Sequence, residues 1–221
     1  MIVPCVSVQP HPLLELGLLV TTLPQSLGQL ASPTTLIQQL CLEAETPLAP
    51  EETIKGCVRD LLRVGGFKPS GRNKPASEYL VQAASKGRLG PINLVVDACN
   101  VASLHSGLPI SVVDCELGHG DWRIEIAAAD SSYIFNRSGQ VIDVSGLWCL
   151  HDALGPCANA VKDSQRTKTS EDTVRTLSVV WGTSALPGRT RETLSWYRSI
   201  LDEMGARTEE LPLRLEGSPV S

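Results

Sequence analysis

The spacing of apolar residues changes along this chain, and the order of those changes limits what it can fold into. Between Glu51 and Arg63, Ile54, Cys57, Val58, Leu61 and Leu62 fall on one helical face. Pro50 stands before that segment and Gly65-Gly66 after it, as helix ends favour. Ala76–Lys86 and Asn93–His105 read as two further helices, the second stopped by Gly107 and Pro109. The pattern then shortens. Ile110–Val113, Trp122–Ala127, Tyr133–Phe135, Val141–Asp143 and Gly146–Leu150 read as short strands, with Asn136-Arg-Ser-Gly139 as a hairpin turn. Leu154–Asp172 reads as a polar loop, Val174–Val180 as a last strand, and Glu192–Met204 as an amphipathic helix. Upstream, Ile2–Val8 is expected as an edge strand, Leu14–Thr22 as a second strand, and Ser26–Thr46 as helical. Arg207–Ser221 is expected to be a loose tail. Helices, then a run of strands, then a helix make an α+β order.

The 221 residues suit one domain over 1–221. Aromatics are only 4%, so the core must rest on Leu, Val, Ile and Ala. A formal net charge of −5 argues against a protein that coats nucleic acid in bulk, and no DNA partner is expected. Charge is nevertheless concentrated. Between Lys55 and Arg88 stand Lys55, Arg59, Arg63, Lys68, Arg72, Lys74, Lys86 and Arg88 against Asp60 and Glu78 alone. Lys162, Arg166, Lys168 and Arg175 form a second basic stretch, partly offset by Asp163, Glu171 and Asp172. Two such segments framing one pocket suit an RNA backbone or a small anion. The plainer alternative is a solvated stripe on a helix. Met1–Val6 lacks the basic start of a secretory leader, and Leu13–Leu23 is too short to span a bilayer. Seven cysteines without paired spacing suggest reduced thiols, so a cytoplasmic protein with no membrane partner is expected.

Several residues carry chemistry. Asn93, Asp97 and Asn100 share a helix face, where they either anchor loops or line a pocket. In Lys162-Asp-Ser-Gln-Arg-Thr-Lys168, Asp163 can pair with Arg166 or with a ligand amine, and Arg166 and Lys168 can take a carboxylate or phosphate. The alternative is a surface loop of ion pairs. Cys149-Leu-His151-Asp152 sets a thiol, an imidazole and a carboxylate close together, with Cys157 following. That is either a nucleophile and base or a set of buried small hydrophobes. A zinc site lacks a fourth ligand. No phosphate-binding glycine loop or hydrolase signature is present, and no metal or cofactor is expected.

Gly71-Arg-Asn-Lys-Pro-Ala-Ser-Glu-Tyr-Leu80, Pro91–Pro109 with Asp114, and Val161–Thr173 together resemble the B3/B4 domain of the phenylalanyl-tRNA synthetase beta subunit. The likeness is closer to free-standing proteins built on that domain, and covers roughly residues 60–182. It implies a layered fold, a β-sandwich of unusual topology flanked by helices. It also implies an aminoacyl-tRNA or a small amino-acid-like ligand as partner, with hydrolysis of a mischarged ester as the activity. The residue matching Asn100 lies in the family's amino-acid pocket. Ser111 stands where the synthetase has an editing histidine, and Val180-Trp181 where it has a glutamate that recognises a tyrosine hydroxyl. His105, six residues upstream of Ser111, is the nearest substitute imidazole. On this reading Asn100 and Ser111 form the amino-acid and water site, Asp163 meets the amino group, Ser164, Arg166 and His105 are further substrate-binding candidates, and Arg72, Lys74, Lys162, Arg166 and Lys168 meet the terminal nucleotides. The two missing groups favour the alternative of a module that binds RNA or an amino acid without chemistry.

Overall fold

The computed structural model describes residues 5–215. Five α-helices and eleven strands lie along it. The strands are β1 (Val6–Val8), β2 (Leu14–Thr22), β3 (Ile110–Asp114), β4 (Trp122–Ile126), β5 (Ser132–Ile134) and β6 (Val141–Asp143). They continue with β7 (Trp148–Asp152), β8 (Gly155–Asn159), β9 (Arg175–Thr183), β10 (Arg207–Glu210) and β11 (Arg214–Leu215). The helices are α1 (Thr34–Gln38), α2 (Glu52–Arg63), α3 (Ala76–Ala84), α4 (Leu94–Ser106) and α5 (Arg189–Glu203). The arrangement is α+β, as the element order implies.

One sheet runs β11-β1-β4-β7-β8, a second runs β10-β2-β9-β3, and β5-β6 form a separate hairpin. Side chains from the two larger sheets share one apolar cluster, including Leu18, Val113, Leu177 and Trp181 from the second and Ile124, Trp148 and Leu150 from the first. Alternate residues of β2, β3 and β9, among them Leu19, Ile110, Val112 and Val180, join a second cluster with α2, α4 and α5. Period-two alternation thus gives the second sheet two buried faces. The layers are helix, sheet, sheet.

Helix α4 is the central element. All but Val96 and Asn100 of its residues are buried. The Asn93 side chain accepts a hydrogen bond from the Val96 N–H (3.0 Å) and so caps its start. Gly107 ends it in the left-handed region at φ 75°. The Arg189 guanidinium then donates to the Ser106 carbonyl (2.9 and 3.0 Å), placing a cation where the helix dipole is negative. Helix α5 lies close on β9, and a Cβ added at Gly182 would sit 1.9 Å from Thr190 Oγ1.

Four expectations need correction. The described part of the first strand, β1, is interior, paired in parallel with both β4 and β11; Ile2–Pro4 lie outside the described residues. Residues 26–46 hold only a 3₁₀ turn and the short α1, because Pro33 interrupts the Leu-rich run. The predicted loop after β7 contains β8, which pairs with β7 despite its Gly, Pro and Asn. The predicted tail contains β10, paired with β2, and β11; its residues 216–221 lie outside the described set.

Candidate functional site

Ser111 lies mid-strand in β3, an edge strand opposite Val179 of β9. Its neighbours Ile110 and Val112 face the helices, so alternation turns Ser111 toward the space between the sheets. There its hydroxyl accepts a hydrogen bond from the Trp181 indole N–H (2.9 Å). It donates to Asp163 Oδ1 (2.7 Å), with the Asn159 carbonyl as a second acceptor at 3.0 Å. Asp163 also accepts the Asn159 N–H (3.1 Å). Burial pushes the Asp163 carboxyl up to about 6, against the opposing pull of Ser111, the Asn159 N–H and Lys168. Ser111, where the resemblance places a histidine, is therefore bonded to Trp181 of the Val180-Trp181 pair where it places a glutamate.

Asn159 organises this network and was not among the sequence candidates. Its Oδ1 accepts from the N–H groups of Val161 (2.8 Å) and Lys162 (3.0 Å), and its amide donates to the Tyr133 hydroxyl (2.5 Å). Tyr133 in turn donates to the Lys162 carbonyl. Burial holds the Tyr133 phenol well above its ordinary range. The one sequence signal was position, since Asn159 lies just upstream of the Lys162–Lys168 segment whose start its side chain folds.

The remaining predicted residues divide. Arg166 makes a bidentate pair with Asp152 (2.7 and 2.8 Å). Asp152 is 0% exposed and also accepts from the N–H groups of His119 and Leu154. Burial works against that anion, but Arg166 and the two N–H groups outweigh it and its pKa is lowered. Arg166 is thereby anchored in the fold through both terminal nitrogens. Ser164 is buried and its hydroxyl accepts the Arg166 N–H (3.3 Å), an internal turn contact. The His105 ring bonds the Gln39 carbonyl (2.9 Å) and meets Trp196 edge-on, so it supplies no imidazole to Ser111. Asn100 is half-buried on α4, and its amide has no hydrogen-bond partner among the described residues. Asp97 holds backbone, accepting the Ile92 N–H (2.7 Å).

Lys162 and Lys168 behave differently. Both place their ammonium groups over the Phe135 ring, 5.1 and 4.2 Å from its centroid. Lys162 also lies 5.9 Å from the Tyr79 ring centre. Lys168 donates to the Phe135 carbonyl (2.5 Å), and desolvation lowers its pKa against the pull of Asp163. The half-buried rings and two cations form a fixed positive cluster beside the Ser111 network. Arg72 is exposed and Lys74 half-buried at the turn preceding α3, the helix that carries Tyr79.

The cysteine alternative does not fit the geometry. Burial raises the pKa of Cys149 far above the thiolate range, with the neighbouring Asn159 amide the main opposing contact. His151 Nδ1 faces Glu125 (3.6 Å), and burial lowers the pKa of the imidazole. A nucleophile–base pair needs a thiolate and a shared hydrogen bond, and neither is present.

The helix and the late loop do meet over a hollow, but at the first turn of α4. Asn93 Nδ2 donates to Thr169 Oγ1 (3.5 Å) across a cleft of about 620 Å³ that Asp97 and Ser170 also line.

No family model matches the chain, and no curated protein matches it in sequence. A crystal structure of an N-terminal fragment of the phenylalanyl-tRNA synthetase beta subunit from Pyrococcus horikoshii is similar in fold, with a TM-score of 0.52 at 10% identity. The match covers 96% of this chain and 52% of that fragment, so the chain spans about half the fragment's length. Among the described residues no helix is long and apolar enough to cross a membrane.

Proposed function

We propose that this protein binds RNA of the transfer-RNA class and does not hydrolyse an aminoacyl ester. The observation that carries the reading is the cluster of Lys162 and Lys168 over Phe135. Two ammonium groups held on one ring are pre-positioned for a phosphate, and aromatic faces beside a basic track are how single strands are held without sequence readout. The fold likeness to a synthetase fragment supports an RNA of that class. The part of the reading without hydrolysis is supported by Ser111. The residue is 1% exposed, and Trp181 and Asp163 engage the lone pair and proton of its hydroxyl. A water or ester carbonyl would have to displace an indole to reach it.

Fluorescence anisotropy with an uncharged tRNA tests the binding. K162A and K168A are each expected to weaken it about tenfold, in line with loss of charge-assisted contacts. Binding unchanged in both variants contradicts the proposal. One observation favours a second reading. Asp163, with its pKa near 6, touches a hydroxyl at 2.7 Å, which is the geometry of a general base. Ester hydrolysis over a panel of mischarged tRNAs, abolished by Ser111→Ala, would establish it.

A further inference from the structure

We infer that a groove between α2 and α3 binds a short free peptide end to end, with its carboxylate at the start of α3 and its ammonium group at the start of α2. The groove encloses about 720 Å³, within the range of small-ligand sites. Leu42 and Val81 give it apolar surface, and Gly107 lines it with backbone alone. Ser77, Val81 and Ser85, spaced by four, put one face of α3 along it. Tyr79, with its Lys162 contact, lies off that face, so the groove is separate from the lysine cluster.

The start of α3 is open to an anion. No side chain caps this helix. Ser77 is 4% exposed and lines the groove, yet neither its hydroxyl nor its N–H has a hydrogen-bond partner among the described residues. The ammonium of Lys74, a half-buried residue of the same groove, is likewise unpaired among them. A carboxylate there gains an N–H, an O–H and a cation at the positive end of a helix dipole. The acidic neighbours do not oppose it, because each has its own cation. Arg59 meets both Glu78 oxygens at 2.6 Å, and Lys55 meets Glu52 at 2.8 Å.

The Arg59–Glu78 pair also sets the direction of the groove, since it lays the start of α3 beside the later half of α2. Glu51, which immediately precedes α2, therefore lies about 12 Å from that end along the helix. Glu51 is exposed, and its carboxylate accepts a hydrogen bond from the Thr53 hydroxyl (3.4 Å). Arg189 feels the Glu51 charge but donates its hydrogen bonds to the carbonyls of Ala49, His105 and Ser106. With the inner pairs offset, Lys74 remains at one end and Glu51 at the other. Such a groove suits a zwitterion whose charges are about as far apart and whose middle is apolar. An extended tetrapeptide, at about 3.4 Å per residue, spans that separation, and its side chains reach Leu42 and Val81.

Isothermal titration calorimetry on the full chain tests this with the tetrapeptide Ala-Leu-Ala-Leu in free, N-acetyl and C-amide forms. The free peptide is expected to bind about tenfold tighter than either capped form, as loss of one charge-assisted contact predicts. Lys74→Met is expected to shrink the penalty of the C-amide to within about twofold and to leave that of the N-acetyl form intact. Glu51→Gln is expected to do the reverse. A variant that merely loosened the fold would weaken all three forms together and leave both penalties in place. No binding heat with any form, equal affinity of free and capped peptides, or a penalty that survives its own variant overturns the site. None of these outcomes bears on RNA binding at Lys162 and Lys168, which is read by anisotropy.

Discussion

Trp181 and Ser111 are 70 positions apart in sequence yet share one hydrogen bond, and the proposed binding role turns on it. Ser111→Ala leaves the indole N–H and the Asp163 carboxyl without their partner. It is expected to lower stability by about 1–3 kcal/mol, the penalty of a buried unsatisfied group. Trp181→Phe keeps most of the bulk and should cost less. A double-mutant cycle of thermal melts measures the coupling, and additive single effects would disprove the contact. Asp163 gives a pH signature. Its folded pKa of about 6 lies above the ordinary carboxylate value. The folded state holds that proton more tightly, so the contribution is full at low pH and is lost as pH rises through 6. Asp163→Asn removes the titration. The stability of D163N relative to the natural chain should therefore rise between about pH 4 and pH 7; parallel melting curves across that range would contradict the assignment. Ser111 and Asp163 were legible in the sequence as candidates. Their engagement with each other was not, because a residue's neighbours across two sheets leave no local pattern.

The loop from Asn159 to Lys168 is built by two anchors, the Asn159 turn and the Arg166–Asp152 pair. Arg166→Ala strands a carboxylate that is 0% exposed, and is expected to cost about 3–5 kcal/mol, read by chemical denaturation. A change below about 1 kcal/mol would mean a surface pair of little weight. Gly182→Ala is expected to cost about 1–3 kcal/mol by forcing α5 off β9; an unchanged melting temperature would show that the helix yields. The main helices and most strands could be read from periodicity, since each buries one or both faces. Strand β8 could not, because Gly155-Pro156 reads as a turn and the strand is specified by its partner β7. Strand β10 could not either. Arg207-Thr-Glu-Glu210 has no apolar alternation, and its charges suit an edge strand.

Across the whole molecule, a net charge of −5 coexists with a local dication on Phe135. Binding through it must weaken with salt, and replacing either lysine should reduce the slope of log K against log salt by about 0.7 for a single strand. A slope unchanged by K162A or K168A would remove the cluster from the contact. The layered fold was legible from element order and from three motif segments. The site was only partly so, since Arg166 and His105 carry the right chemistry but the fold commits both to its own groups. One experiment tests the central claim most directly, namely parallel binding and deacylation on one mischarged tRNA panel with the full chain. Saturable binding that K168A weakens, with ester loss no faster than in buffer, is the predicted result. Turnover above buffer that Ser111→Ala abolishes would contradict it.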